Sequence, residues 1–202
     1  MSFVDRFLAH YAVHRDFSKA SKFEVLIHLN ESLLQRLGSG YDLRFQCEAA
    51  ELPGYNFDTV DGLTYGAPYA IAARPVYGDL KLMFICAGDL WEKRFFDQWQ
   101  EFILPKRDYL ARYRDEYVGN IDVVQYYETV DPVYGDVVKE SLPDSRANYN
   151  YGPEMSYRAR YHEAFPASVD PIPLSWGDDS VNRVSVTFKY KHWEIIDRRV
   201  GS

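Results

Sequence analysis

Between Arg183 and Lys191, apolar and polar positions alternate without a slip. Val184, Val186, Phe188 and Tyr190 fall on one face, and Arg183, Ser185, Thr187, Lys189 and Lys191 fall on the other. Side chains of a strand point to opposite faces in turn, so the segment reads as a strand with one buried wall and one charged wall. It is the heart of a longer stretch, Leu174 to Glu194. There a Trp-led segment enters a polar turn, and the strand runs on to Trp193-Glu194. The same alternation from Asp79 to Ala87 puts Leu80, Leu82, Phe84 and Cys86 on one face. β-Branched and aromatic content predicts further strands over Phe23 to Leu29, Leu43 to Ala50, Asn120 to Val130, and Tyr157 to Phe165, the last closed by Pro166.

Helical periodicity is strongest after Asp89. Asp89-Leu90-Trp91-Glu92 has the spacing of a capping box, with Asp in place of Ser or Thr. Trp91, Phe95, Trp99 and Phe102 then recur at i, i+4, i+8 and i+11 as one aromatic stripe, and Pro105 ends the run. Such a stripe packs a helix on a sheet far more readily than it stacks on a cofactor. Residues 106–119 are charged and aromatic, a second helical turn or a loop. At the N-terminus Phe3, Phe7 and Tyr11 recur at helical spacing, as a short amphipathic helix or an extended arm over residues 1–20. Three long loops are expected, at about 30–42, 52–78 and 131–156. The second, Tyr-rich and weakly charged, has the content of a protruding hairpin.

A chain of 202 residues makes one domain, or one domain with arms, and it can bury a sizeable core. The hydrophobic share of 47% excludes intrinsic disorder. The 17 tyrosines and 12 phenylalanines suit strands and subunit interfaces, or an ordinary β-rich core and its rim. A net charge of −7 argues against a surface built to neutralise nucleic-acid phosphates, though not against DNA that passes without sticking. Cys47 and Cys86 lie in apolar, strand-like contexts outside any C-x-x-C pair, which favours two buried free thiols, with a single bridge left open. The N-terminal residues lack the apolar core of a signal peptide, and no apolar run is long enough to span a membrane, so the chain is expected to be intracellular when made.

Catalytic signatures are missing. The five histidines, His10, His14, His28, His162 and His192, are scattered, and the His10/His14 pair has no H-E-x-x-H form. There is no G-x-S-x-G elbow, no Gly-Lys-Ser/Thr phosphate loop and no G-x-G-x-x-G. Glu48, Glu51, Asp122 and Glu128 could in principle supply a pair of facing carboxylates, but sequence does not place them. The reading is therefore non-enzymatic, with no catalytic, cofactor-binding or metal residues.

Four segments carry a resemblance. Phe45-Gln46-Cys47-Glu48-Ala49-Ala50-Glu51-Leu52-Pro53 resembles the F-Q-C-x-A-x-x-L-P motif of tail tube proteins of T-even-type contractile-tailed bacteriophages. Phe95-Phe96-Asp97-Gln98-Trp99-Gln100 is similar to that family's Phe-x-x-Trp-Gln helix. Phe165-Pro166, with Val169, Leu174 and Trp176, resembles its aromatic-Pro segment. The terminal strand ending in His192-Trp193-Glu194 resembles its aromatic-Trp-Glu close, with His in the aromatic place. The matches occur in family order over about residues 20 to 196.

The resemblance implies a mainly β fold, two packed antiparallel sheets forming a sandwich or barrel with one flanking helix, in a single tail-tube domain over residues 1–202. It implies hexameric rings stacked into a tube whose lumen conducts the genome, in a virion tail assembled in the host cytoplasm. Its partners would be further copies of itself, the tail sheath, baseplate and tail-terminator proteins, and, transiently in the lumen, the tape measure protein and double-stranded DNA. No cofactor, stable nucleic-acid binding or membrane span is implied. Related tubes serve other contractile injection systems, and a longer baseplate paralogue initiates the tube; both stay open, as does, remotely, a monomeric β-barrel ligand binder or enzyme.

Phe3, Phe7, Tyr65 and Tyr69 are the expected subunit-interface residues, being aromatic without obvious core positions. Trp91, Phe95, Trp99, Trp176, Phe188 and Trp193 are expected in the core. In a tube, the Arg183/Lys189/Lys191 wall would need carboxylates from adjacent strands, or would have to face outward.

Overall fold

The computed structural model describes residues 4, 18–38, 43, 46–62, 69–126, 155–177 and 179–196. Chain contacts divide the protein into two units, residues 1–23 with 124–158, and residues 24–123 with 159–202. The described elements are β1 (Phe23–His28), α1 (Glu31–Leu37), β2 (Cys47–Ala50), β3 (Tyr55–Gly62), β4 (Tyr69–Tyr77), β5 (Leu80–Ile85), α2 (Trp91–Ile103), α3 (Arg114–Tyr117), β6 (Gly119–Tyr126), β7 (Met155–Val169), β8 (Arg183–Lys189) and β9 (His192–Ile195). The fold is mainly β, as expected. Its strands form a seven-stranded sheet, in the order β1-β6-β7-β8-β5-β2 with β9 also on β7, and a separate two-stranded ribbon of β3 and β4. No closed barrel is present among the described residues.

The larger unit holds the main core. β5 and β8 pair antiparallel, Leu82 opposite Val186 and Phe84 opposite Val184. The predicted alternation holds: Leu80, Leu82, Phe84, Val184, Val186 and Phe188 are all buried. α2 lies on that face. Phe96 meets Phe84 at 5.1 Å and Phe188 at 6.0 Å, and Trp99 meets Phe188 at 6.1 Å, all tilted or edge-on as ring quadrupoles prefer. The Trp99 indole N–H donates to the Tyr117 carbonyl at 2.8 Å, so its one polar atom is satisfied. Trp91, expected in the core, is half-buried at the start of the stripe, edge-on to Phe95 at 6.1 Å.

The start of α2 departs from a capping box. The N-cap is Leu90, left-handed at φ 55, and no side chain caps it. Glu92, fully buried, reaches back past Asp89 to accept the Ala87 N–H at 3.0 Å. The Asp89 side chain accepts the Trp91 N–H in a long contact of 3.4 Å, while the Asp89 carbonyl accepts from Arg94. The region expected as a loop at 30–42 contains α1, whose N-cap Asn30 accepts the Leu33 N–H at 2.9 Å. The Asn30 amide also donates to the Asp115 and Glu116 carbonyls of α3.

The strand predicted to run from Arg183 to Glu194 is divided. Phe165 pairs with Lys189 and His162 with His192, so one register with β7 carries through β8 and β9. The break at Tyr190-Lys191 lies opposite Glu163, a non-glycine residue at φ 52. That conformation costs about 1–3 kcal/mol. It is held by the Arg114 and Lys191 side chains on the Glu163 carboxylate and by Asn120 Oδ1 on the Glu163 N–H. β7 also continues past Pro166, where an end was predicted, to Val169. Pro166 sits beside a register shift before Ser168, a position where a missing N–H is tolerated.

One buried charge is tied across the sheet. Asp122 of β6, fully buried, takes both prongs of the Arg160 guanidinium of β7, at 2.7 and 2.9 Å, and lies 2.9 Å from His28 Nε2 of β1. Both carboxylate oxygens are satisfied, the condition for burying an ion pair without a large penalty. Asp122 is thus a structural anchor and not half of a catalytic pair. In the smaller unit, Gln125 donates to the Lys19 carbonyl at 2.6 Å and the Tyr126 N–H to that of Lys22 at 2.8 Å.

Candidate assembly surface

The β3–β4 ribbon is little covered by its own chain. Of its seventeen residues, fourteen are exposed and none is buried. Its register runs from Tyr55 opposite Tyr77 to Asp58 opposite Arg74, then shifts by one so that Thr59 faces Ala72 and Gly62 faces Tyr69. Alternation therefore sorts the apolar groups in two sets. Before the bulge, Tyr55, Phe57, Pro75 and Tyr77 share one face. Beyond it, Val60, Ile71 and Tyr69 share the opposite face. A bulge adds twist and re-aims the side chains that follow. Val76, opposite Asn56, lies on that second face too, so the ribbon carries exposed apolar groups on both faces.

The two halves meet different surroundings. At the root, the Tyr55 ring lies 5.7 Å from Trp193 and 5.8 Å from Tyr77, and Tyr77 lies 6.2 Å from Tyr190. These rings, with Phe57, Pro75 and Ile195, line a recess of about 350 Å³. At the tip, the Tyr69 ring lies over Gly62, so that a Cβ at Gly62 would fall 2.8 Å from it. Here Val60, Tyr69 and Ile71 are 58, 53 and 48% exposed. An isolated two-stranded ribbon is marginal in water, and contiguous apolar patches on a protein surface mark interaction sites. The Arg74–Asp58 pair at 2.6 Å pins the register but adds little stability at this exposure.

The charged wall of β8 is neutralised locally. Arg183 makes a fork with Glu48 of β2, Lys189 pairs with Asp79, and Lys191 with Glu163. Of the two alternatives posed by the sequence, carboxylates on neighbouring segments is the one found. The Arg183 hydrogen bond holds the Glu48 carboxyl below its ordinary range, and Lys191, with Arg114, does the same for Glu163. Cys47 and Cys86 are both free thiols. Burial raises both, Cys47 to about 12.

Of the expected interface residues, Tyr69 lies on the exposed tip; Phe3, Phe7 and Tyr65 lie outside the described residues, as does most of the 131–156 loop. Of the expected core residues, Phe95, Trp99 and Phe188 are buried, and Trp193 is half-buried at the ribbon root. Trp176 is a correction: it is wholly exposed, at 108%. It sits in the irregular segment between β7 and β8, where no strand alternation turns it inward. Sequence reasoning missed Tyr55, Phe57, Val60 and Ile71. The alternating Tyr55/Phe57 pair was a usable signal for the root; the bulge that exposes Val60 with Ile71 left none.

Three comparisons bear on this geometry. A family model described as phage tail tube protein matches residues 18–196. No curated protein matches the chain. Among solved structures, a chain of the anti-feeding prophage baseplate superposes with a TM-score of 0.57 at 10% identity, covering 91% of this chain and 98% of that one. A chain of the sheath-tube complex of the extracellular contractile injection system PVC, in its extended state, gives 0.56 at 10%, covering 97% and 99%. A chain of the anti-feeding prophage tube-terminating cap gives 0.56 at 12%, covering 89% and 91%. At these identities the likeness is one of fold.

Proposed function

The chain belongs to the phage tail tube protein family, and on that footing we propose that it is the repeating subunit of a T-even-type contractile tail tube. As a tail tube protein it is structural and not an enzyme. Six copies close a ring, rings stack, and the lumen conducts the genome into the host. The sheath surrounds the tube, baseplate and terminator proteins meet its ends, and the tape measure protein and DNA occupy it in turn. The tube is part of the virion and is assembled in the host cytoplasm. Residues 1–202 form one tail-tube domain with an N-terminal arm and long loops.

The observation that supports this most is the β3–β4 ribbon, a projection with apolar groups on both faces that its own chain does not cover. Tyr69 and the Val60/Ile71 patch are its contact residues, with Phe3, Phe7 and Tyr65 as further contacts. Electron microscopy of the purified protein over a concentration series tests it. Rings or tubes are expected; monomers at every concentration would sink it. A second reading, the baseplate tube initiator, draws support from the likeness to chains in baseplate and cap structures. Antibody labelling of whole particles separates the two: label along the whole tail supports the tube, label at its base the initiator.

A further inference from the structure

Tyr190 and Trp193 stand three residues apart across the break between β8 and β9. In an unbroken strand, residues so spaced point to opposite faces. Here both rings reach the root of the ribbon, Tyr190 to Tyr77 at 6.2 Å and Trp193 to Tyr55 at 5.7 Å. Tyr55 and Tyr77 are a directly opposed pair, so the root of the ribbon rests on both rings. β7 changes phase at the same place. Tyr161 and Ala164, also three apart, are both buried, and Glu163 between them is the residue at φ 52. Tyr161 pairs with Trp193 and packs edge-on to Tyr190 at 4.8 Å, which ties the two phase changes together.

We propose that the clamp on Glu163 is a latch that seats the ribbon. While Arg114 and Lys191 hold its carboxylate, Tyr190 and Trp193 share a side and carry Tyr77 and Tyr55. Released, residue 163 returns to extended backbone, the two strands straighten, and the ribbon root comes free. A left-handed glutamate has no local reason to stay so, lacking glycine's freedom and the short polar side chain of Asn or Asp. What holds it comes from three other segments. Arg114 of α3 donates to Oε2 at 3.0 Å, Lys191 in the β8–β9 link donates to Oε1, and Asn120 of β6 accepts the Glu163 N–H at 3.3 Å. The Lys191 N–H also donates to the His162 carbonyl at 3.0 Å, so the clamp binds both strands at the point where both change phase. The seated state carries two burdens that release would lift: the left-handed backbone, and the Trp193 indole Nε1, buried with no acceptor among the described residues. The Glu163, Arg114 and Lys191 side chains are 31, 46 and 60% exposed, and ion pairs at such exposure are weak one by one, which leaves the latch near balance. It can open without unmaking the core under α2. The seat belongs to the free chain; its use in assembly rests on the self-association reading above.

Water exchange of the four tryptophan indole protons, followed by NMR on the free chain with W193F to assign one of them, tests the latch. In wild type the Trp193 indole should exchange slowly and that of wholly exposed Trp176 fast. Glu163→Ala removes the carboxylate and disfavours φ 52, and should speed exchange at Trp193 about tenfold while Trp99 stays slow. Glu163→Gly removes the carboxylate too but adopts φ 52 freely, and should stay near the wild-type rate. Lys191→Met, at a 60% exposed side chain, leaves Glu163 in place and should give an intermediate rise; it decides the matter if Glu163→Ala fails to fold. A wild-type rate in both Glu163→Ala and Lys191→Met, or equal acceleration by Ala and Gly, would overturn the latch. In a concentration series Glu163→Ala should need about tenfold more protein to assemble, because an unseated ribbon must be ordered first. Assembly at the wild-type concentration, with the Trp193 change present, would overturn the seat's part in assembly. Wild-type protein that never assembles would overturn the tube reading and leave the latch standing on the exchange rates.

Discussion

α2 and the β3–β4 ribbon draw on similar residues and end in opposite environments. In α2, Phe95, Phe96 and Trp99 are 4, 0 and 0% exposed; in the ribbon, Tyr55, Phe57, Val60, Tyr69 and Ile71 are 46 to 58% exposed. The helix has the buried face of β5 and β8 to cover its stripe. The ribbon is two strands wide, and its apolar groups are split between two faces by the bulge after Asp58. No single partner surface within the chain could cover both faces at once. The high aromatic content of this protein thus serves folding in one region and, in the proposed tube, association in the other.

That division can be broken at its strong end first. Trp99→Ala should destabilise the chain by about 3–5 kcal/mol, because it empties a fully buried site and leaves the Tyr117 carbonyl unpaired. Urea unfolding with an unchanged slope checks it; a loss below about 1 kcal/mol would mean that α2 is not anchored by its stripe. Asp122→Asn should cost about 2 kcal/mol, less than the ~3–5 of a wholly buried pair, because the Arg160 side chain keeps 29% exposure and can turn to water.

Acid should act more mildly. Glu48 and Glu163 have folded-state pKa values depressed by Arg183 and by Lys191 with Arg114. Their contribution is present above the ordinary value of 4.5 and is lost as pH falls through the lower folded value. Melting temperature should therefore drop below that pH, and less so in an E48Q/E163Q double variant. Ile71→Asp should have the smallest effect on stability, within about 0.5 kcal/mol, yet prevent assembly, as read by sedimentation velocity. An Ile71→Asp chain that unfolds would place the ribbon tip in the fold and not on an interface.

Much of the fold was legible locally. The alternation at Leu80–Ile85 and Arg183–Lys189 and the stripe from Trp91 to Trp99 each report one buried face, a property that period alone encodes. The hairpin content of 52–78 was legible too, and so was Tyr69 as an exposed aromatic. What escaped depends on pairing between distant segments. The left-handed Glu163 that divides β8 from β9 is held by Arg114, Asn120 and Lys191, far apart in sequence. The bulge after Asp58 comes from an extra residue in β4, Ala73, and it alone decides that Ile71 and Tyr69 join Val60 and not Phe57. Trp176 looked like core because large aromatics usually are; only its place in an irregular segment shows otherwise.

The contrast between the two regions is most directly read by amide hydrogen exchange on one sample, before and after it is concentrated into assemblies. Fast exchange is expected across Tyr55–Tyr77 in the free chain and strong protection there once assembled, with the amides of β8 slow in both states. Ribbon amides that exchange equally in the free and assembled protein would refute the assignment of the ribbon to assembly.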